Sequence, residues 1–493
     1  MGSDSADVTF FITITNTVSW GKQQMATTSA QASGGPVIDL AELIDRQGVT
    51  MFNVLIIAIG WFAIFGDGFD IAVIGYVMPN IMREFQLGPE TVGLVQSASL
   101  AAYPIGALIL GWISDHHGRR LGLILGCLII GIFTLATVTV HGAIGLAVMR
   151  FCTGVGLGGV IPNIVALGAE FAPKRMRARL VIFTFCGINF GGFVSGLVAP
   201  SIITQWGWQG LFVVGGAVPL VAVVLMWLFM AESIKFLALK GGHDAELRQT
   251  LRRLVPDEAI PDNARFVVAS AAQRVPFKPR QLFEGDLKWI TPILWVAFIL
   301  NFIVLYFTGA WTNIILQGAG VPQTQAILIS SLNQGGGVLG GLVISYFVDR
   351  YGFLAVLVWG VLTAATVWAI GVPGLDVGWI ATWVAISGFG MQGVQYGLNA
   401  STGMLYPTSF RAFAAGWAFS VSRIGAVAGP ILGGYLVAQK LTPQQLFFFP
   451  VIPLVIGIVL AAILAMLSFR RFGGLQLDEK AADGARPALA PGE

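Results

Sequence analysis

GWISDHHGRR, residues 111–120, closes the second long apolar run of this chain, and SYFVDRYG, residues 345–352, closes the eighth. The offset from Asp115 to Asp349 is 234 residues, and it holds well beyond these two stretches. It pairs Trp61 with Trp295, Gly75 with Gly309, Gly106 with Gly340 and Gly118 with Gly352. Further on it pairs Gly154 with Gly388, Gly156 with Gly390, Gly159 with Gly393, Pro173 with Pro407 and Arg177 with Arg411. Glycine coincidences are cheap in a chain with 63 Gly among 493 residues, about twice average usage. Matched Trp, Asp, Pro and Arg without a gap are not. The register implies two parallel halves, as in transporters whose halves move about a shared midplane site.

Between its charged loops the chain is apolar. Hydrophobic residues make up 56% and charged residues 11%, with a mean hydropathy of +0.79. Soluble domains carry about a quarter charged residues, so an ordinary soluble fold is excluded. An apolar run of about twenty residues crosses a bilayer as a helix. Twelve runs qualify, beginning near Phe52, Val92, Leu121, Ala143, Leu180, Trp208, Trp289, Gln325, Phe353, Val377, Ala412 and Leu446. The expected fold is therefore an all-α membrane protein with twelve transmembrane helices in two six-helix parallel pseudo-repeats.

Basic residues in short loops set orientation. Loops after even-numbered spans hold Arg119, Arg120, Lys174, Arg175, Arg177, Arg179, Arg350 and Arg411, whereas loops after odd-numbered spans offer Arg83 and Lys440. The even loops, both termini and the central segment are expected on the cytoplasmic side of a bacterial inner membrane. A net charge of +3 gives no reason to expect nucleic acid. Cys127, Cys152 and Cys186 each lie in an apolar stretch without metal-ligand spacing, so neither a disulfide framework nor a metal site follows. No cofactor is expected, and a monomer suffices for function.

The expected organisation is a disordered N-terminus with a short interfacial helix over 1–50, a first bundle over 51–231, a cytoplasmic central loop over 232–287, a second bundle over 288–471 and a disordered tail over 472–493. VTFFITITNTVSW, residues 8–20, lacks a basic flank and is broken by Thr, so it does not read as a signal peptide. Met25 offers a second plausible start. Ile38–Arg46 is amphipathic enough to lie on the inner membrane surface.

The loop GWISDHHGRR resembles the signature GxxxDRxGRR of the major facilitator superfamily, with His116 where Arg is usual. The second copy keeps Asp349, Arg350 and Gly352. The resemblance implies the major facilitator fold and gating roles for Asp115, Arg119, Arg120, Asp349 and Arg350. An Asp at this place can sit on a facing helix N-terminus. Glu170, near the end of span 4, either joins Asp115 and Arg119 in that gate or caps the membrane boundary. TGVGLGGVIPN, residues 153–163, has a GxGxxG-like spacing, but it follows no strand and reads as close helix packing.

Span 1 carries GDGFD, which puts Asp67 and Asp70 on one helix face. One acid in a span costs about 2.5–3.5 kcal/mol on insertion scales, and a simple ion pair needs only one. Two carboxylates sharing a poorly solvated site repel, which favours a proton on one of them. DGFD resembles the DGxD signature of the aromatic acid:proton symporter family within the superfamily. That resemblance runs from Ile38 to Phe472 and includes AESIKFL, residues 231–237, with Ala231 where proline is usual. It implies proton-coupled uptake of a benzoate-type anion such as 4-hydroxybenzoate or protocatechuate, with Asp67 and Asp70 in proton coupling.

Arg150 and Arg423 are the arginines deep in apolar spans. At 1.5 Å per residue Arg423 stands about 18 Å from Arg411, and Asp67 about 21 Å from Asn53, near the middle of a core about 30 Å thick. Arg423 is assigned to the substrate carboxylate and Arg150 to the acids of span 1, because guanidinium is the natural bidentate partner of carboxylate. The offset pairs Asp67 with Asn301 and Arg423 with Asn189, unlike charges at like positions. Candidate ring walls are Phe65, Phe69, Tyr306, Trp311, Tyr396 and Trp417, with Asn163, Asn301, Asn333, Gln395 and Asn399 as polar groups; each is equally fit for packing or interfacial anchoring. The expected function is a proton-coupled symporter of an aromatic carboxylate, with a proton-driven drug or metabolite efflux antiporter as the alternative. An enzyme would need a His or Cys cluster that the spans lack, and a seven-helix receptor disagrees with the count.

Overall fold

The computed structural model describes residues 36–46, 48, 50–256, 258, 260–261, 263–267, 278–372, 374, 376–407 and 409–472. The expected disorder of residues 1–35 and 473–493 lies outside the described residues. In chain order the first part holds β1 (Val37–Asp39), α1 (Leu40–Arg46), α2 (Met51–Phe85), α3 (Pro89–His117), α4 (Arg119–Ala136), α5 (Ala143–Phe171) and α6 (Lys174–Phe229). A central segment holds α7 (Ile234–Lys240), α8 (Asp244–Leu254) and β2 (Arg265–Val267). Then come α9 (Leu287–Gly318), α10 (Gln323–Tyr351), α11 (Phe353–Ile370), α12 (Val377–Leu405), α13 (Arg411–Ala438), α14 (Pro443–Phe448) and α15 (Val451–Phe472).

Cap residues mark where several apolar runs become helices. Thr50 N–H donates to Asn53 Oδ1 at 2.9 Å and Thr50 Oγ1 accepts from Asn53 N–H at 3.4 Å, a reciprocal cap that starts α2. The Asn53 amide also donates to the Phe171 carbonyl, tying the start of α2 to the end of α5. Asp376 accepts from Gly378 N–H at 3.0 Å and starts α12. The fifth and sixth runs are two helices that meet within the α6 range at Gly207, whose backbone is not helical; its φ of 69° is left-handed and suits glycine. The twelfth run, read from near Leu446, lies in the span Pro443–Arg470; Leu446 sits in its short first helix α14, and Pro450, which has no N–H to donate, precedes α15.

Ten helices among the described residues are long and apolar enough to cross a membrane; α6 counts once, and α12 is not among the ten. Large apolar side chains such as Leu108, Leu339 and Ile424 face outward. Exposed apolar surface on this scale needs an apolar neighbour, and lipid supplies it.

Lipid tails are as apolar as the helices, so packing depends on how closely backbones approach. A Cβ on Gly106 of α3 would lie 1.9 Å from the Val155 carbonyl oxygen of α5, and one on Gly154 would lie 2.1 Å from that of Ser99. The same approaches recur 234 residues on: Gly340 against Phe389 at 2.0 Å and Gly388 against Asn333 at 1.9 Å.

The two helix sets meet along three seams. Between α3 and α13, Ser97 Oγ donates to the Val427 carbonyl at 2.8 Å. Between α6 and α10, Gly196 faces Ser331 so closely that a Cβ would sit 2.2 Å from the serine Cβ. Between α2 and α9, Gly75 meets Gly309, and Asn313 Nδ2 donates to the Gly75 and Tyr76 carbonyls at 3.0 and 3.1 Å. Gln323 Nε2 adds a bond to Asn80 Oδ1 at 2.6 Å. Among the described residues neither Asp115 nor Arg350, at the opposite, basic end, bonds to the other set.

The central segment, expected as a loop between the two bundles, holds short ordered elements. β2 pairs in parallel with β1, so that Ile38 lies opposite Phe266. Leu40, Leu43 and Ile44 of α1 are buried in one cluster with Leu247, Leu251 and Leu254 of α8. The amphipathic face expected on the membrane surface is thus covered by protein.

Gly154→Val should cost about 1–3 kcal/mol or more by forcing α3 and α5 apart, whereas Gly168→Ala, whose Cβ would meet nothing within 4 Å, should be neutral or stabilise by about 0.5–1 kcal/mol. Thermal unfolding of both purified variants checks this. Equal loss in both would mean that the close approach does not limit packing.

Candidate functional site

Arg423 of α13 is 6% exposed. Its guanidinium carbon lies 3.8 Å from the Tyr103 ring centroid and 4.5 Å from that of Phe419, and Nη1 donates to Tyr306 Oη at 3.4 Å. Ring faces attract a cation at these distances. Among the described residues no carboxylate forms an ion pair with it.

Asp67 and Asp70, one turn apart on α2, have different surroundings. Asp70 accepts from Arg150 Nη1 at 3.0 and 3.1 Å and from Thr134 Oγ1 at 2.7 Å. Arg150 Nη2 then reaches Thr134 Oγ1 at 3.3 Å and Thr137 Oγ1 at 3.1 Å, and its guanidinium stands 5.0 Å from the Phe212 ring. This network ties α2, α4 and α5 together. Asp67 is fully buried, and neither carboxylate oxygen has a hydrogen-bond partner among the described residues. The charges close enough to act on it are those of Asp70 and Arg423. Arg150 therefore serves Asp70 alone and not both acids, because the Thr134 and Thr137 hydroxyls hold it at that level.

Asp70, Arg150 and Arg423 border one cavity of about 170 Å³ between the two helix sets. An apolar cavity of about 150 Å³ holds a benzene molecule, so the space suits a single substituted ring. Tyr306, Gln395, Tyr396, Asn333 and Asn399 lie on its wall as expected from sequence. Other sequence candidates do not. Trp311 is buried between α9 and α13, with Nε1 donating to the Pro430 carbonyl at 3.0 Å. Asn163 donates to its own helix at the Gly159 carbonyl, 2.8 Å away. Asn301 Nδ2 donates to Gln395 Oε1 at 2.8 Å from behind the wall. Phe65 and Phe69 pack against each other along α2 with their rings tilted by 48°, and Trp417 is exposed and stacked on Trp295. In each case helix packing has taken the side chain.

Sequence reasoning passed over Gln392 and Tyr103, which carries Arg423, and it did not join Asn189 to Tyr396 in a neutral cluster on the α6–α10 side. There Gln392 Nε2 donates to Asn189 Oδ1 at 2.8 Å and Asn189 Nδ2 to Tyr396 Oη at 3.0 Å. The offset had paired Asn189 with Arg423, which was the available signal.

At the basic end Arg119 pairs with Glu170, which also accepts from Ser233 Oγ at 2.5 Å. Glu232 accepts from Arg120 N–H at 3.1 Å and Ser233 N–H at 2.8 Å. Burial pushes the Glu232 carboxyl above its ordinary range, against the pull of the backbone N–H groups of Ser233, Arg120 and Arg119. Arg120 Nη2 donates to the Trp227 carbonyl. These bonds stay within the first helix set, so in this state they do not form the expected gate. Asp115 is exposed and outside the cluster, Arg350 lies over the Tyr351 ring, and the Asp349 side chain lies outside the described residues.

The model of the Major Facilitator Superfamily matches residues 60–361 and 294–487. The chain is 30% identical over 411 residues to the gallate transporter of Pseudomonas putida, covering 83% of this chain and 91% of that protein. It is 30% identical over 421 residues to a 4-hydroxybenzoate transporter of Acinetobacter baylyi, covering 84% and 92%. Its fold is similar to the crystal structure of a bacterial homologue of the human lysosomal transporter Spinster, with a TM-score of 0.63 at 16% identity over 86% of this chain and 99% of that one.

Removing one partner of a buried ion pair costs about 3–5 kcal/mol, so Arg150→Gln should lower the melting temperature sharply, while Asp67→Asn should leave it unchanged or raise it. Equal destabilisation by both variants in thermal unfolding would contradict the separate surroundings of the two acids.

Proposed function

The chain belongs to the Major Facilitator Superfamily, in the branch that includes the gallate and 4-hydroxybenzoate transporters, and from that premise we propose that it is a symporter importing an aromatic carboxylate with a proton by alternating access. The substrate is 4-hydroxybenzoate, protocatechuate or a related benzoate. One observation carries the reading: a cavity of single-ring size is bordered by a guanidinium with aromatic neighbours and no counter-ion among the described residues. That leaves Arg423 free to take a carboxylate in the bidentate manner of its fork.

The membrane arrangement follows the same reading. Splitting α6 at Gly207 and adding α12 to the ten candidate spans gives twelve crossings in two parallel repeats. The recurrence of the Gly106 and Gly154 approaches at Gly340 and Gly388 supports the repeat. We place both termini and the basic end in the cytoplasm of a bacterial cell, and a monomer as the working unit.

In the cycle, the cavity opens to the outside and Asp67 takes up a proton. Its negative charge is then withdrawn from Arg423, which docks the substrate carboxylate. The halves rock, and substrate and proton leave at the basic end. An ionised carboxylate without hydrogen bonds in an apolar interior is expensive, so Asp67 gains and loses its proton as the charge on Arg423 is engaged or freed. Asp70 with Arg150 holds α2 in place. Asp115, exposed here, caps the α13 N-terminus in the opposite state, with Arg119, Arg120, Glu170, Asp349 and Arg350 at the same end. No observation favours the efflux antiporter.

In proteoliposomes, Asp67→Asn should abolish accumulation of 4-hydroxybenzoate driven by a pH gradient while retaining counterflow exchange. Retained accumulation would place the proton path elsewhere. Arg423→Lys keeps the charge but loses the fork, and calorimetry should read about a tenfold or greater loss of affinity, one lost charge-assisted bond being worth about 1.5–3 kcal/mol. Unchanged affinity would remove Arg423 from the carboxylate site.

A further inference from the structure

The cavity has two unlike sides. The α3–α13 seam carries Arg423, and the α6–α10 seam carries Asn189, with α2 and α9 between them where Gly75 meets Gly309. Arg423 and Asn189 are 234 residues apart in the repeat register, so the two seams present a cation and a neutral amide at corresponding places. Around Asn189 the wall stays neutral: Gln392 donates to its Oδ1, Tyr396 Oη accepts from its Nδ2, and Tyr396 Oη donates to the Phe185 carbonyl at a long 3.4 Å.

That wall has hydrogen-bonding capacity to spare. Gln392 spends its amide N–H₂ on Asn189 and its carbonyl oxygen has no partner among the described residues. Gln334 also borders the cavity, packed against Gly192 of α6, and its amide bonds to no described residue. Each amide both donates and accepts, as a phenolic hydroxyl does. The cations on the cavity wall among the described residues are Arg150, already held by Asp70, and Arg423. A second carboxylate on the ring would therefore find no counter-charge on the α6–α10 side.

We propose that Asn189, Gln334, Gln392 and Tyr396 form a hydroxyl-reading wall that selects, among the benzoates already proposed, a ring whose hydroxyl lies away from the carboxylate over an unsubstituted or methylated one. This rests on the reading that Arg423 binds the carboxylate. Arg423 and Asn189 border the same cavity of about 170 Å³, so in this proposal a single ring turns its carboxylate to Arg423 and its hydroxyl toward the Asn189 side. Polar groups set to bond a substrate hydroxyl penalise an analogue that lacks it, because they are left unpaired.

The test is calorimetric binding of benzoate, 4-methylbenzoate, 4-hydroxybenzoate and terephthalate to the purified full chain, with Gln392→Met and Asn189→Leu beside wild type. Wild type should bind 4-hydroxybenzoate about tenfold or more tighter than benzoate or 4-methylbenzoate, and terephthalate least. Each variant should keep benzoate affinity and lose the preference. If 4-methylbenzoate matches 4-hydroxybenzoate in wild type, or if the preference survives in both variants with benzoate affinity intact, the hydroxyl wall is wrong while the carboxylate site stands. If no monocarboxylate in the panel binds wild type, the transport reading fails and takes the wall with it. The wild-type comparison decides by itself where a variant no longer binds benzoate.

Discussion

Arg423 is buried in the middle of a membrane protein with the faces of Tyr103 and Phe419 against it, Tyr306 at one nitrogen and, among the described residues, no acid paired to it. A charge at such depth is costly, and aromatic faces return only part of that cost. The nearby negative charge is Asp67, which is itself without hydrogen bonds. Two opposite charges, each poorly satisfied and not joined to each other, form a device with a vacant role. We read that role as the substrate carboxylate on one side and a proton on the other.

The pair can remain unsatisfied because its surroundings are firmly built. Asp70, Arg150, Thr134 and Thr137 fix the position of α2 relative to α4 and α5 without drawing on Asp67. Close backbone contacts at Gly106 and Gly154, repeated at Gly340 and Gly388, pack the helices tightly within each set. The two sets meet along the seams. In this structure they bond from mid-depth to the end that holds Asn80 and Gln323, while Asp115 stands exposed at the other.

Most of the helices were legible because apolar length and loop charge are local properties: the starts read at Ala143, Phe353 and Val377 coincide with those of α5, α11 and α12. The last apolar run, read from near Leu446, falls within the span Pro443–Arg470, and hydropathy alone does not register the break at Pro450 that divides it into α14 and α15. The order within the central segment was not legible because it depends on a partner far away in sequence, with Val37 lying opposite Arg265. The depth of Asp67, Asp70, Arg150 and Arg423 was legible because charges inside apolar runs stand out. Which acid pairs with Arg150 was not, since residues three apart share a face and only the position of Thr134 separates them. Aromatic wall residues were the least legible: Trp311 packs between α9 and α13 whereas Tyr103 supports Arg423, and both are merely aromatic residues in apolar spans.

The central claim is that substrate and proton meet through the Arg423 and Asp67 pair. It is tested most directly by proton uptake on binding, measured by titrating 4-hydroxybenzoate calorimetrically into the purified protein in buffers of different ionisation enthalpy. The account predicts net proton uptake as substrate binds to wild type above the pH at which the substrate itself is ionised, and none in Asp67→Asn. Equal uptake in the two proteins, or binding to wild type without any proton exchange, would contradict it.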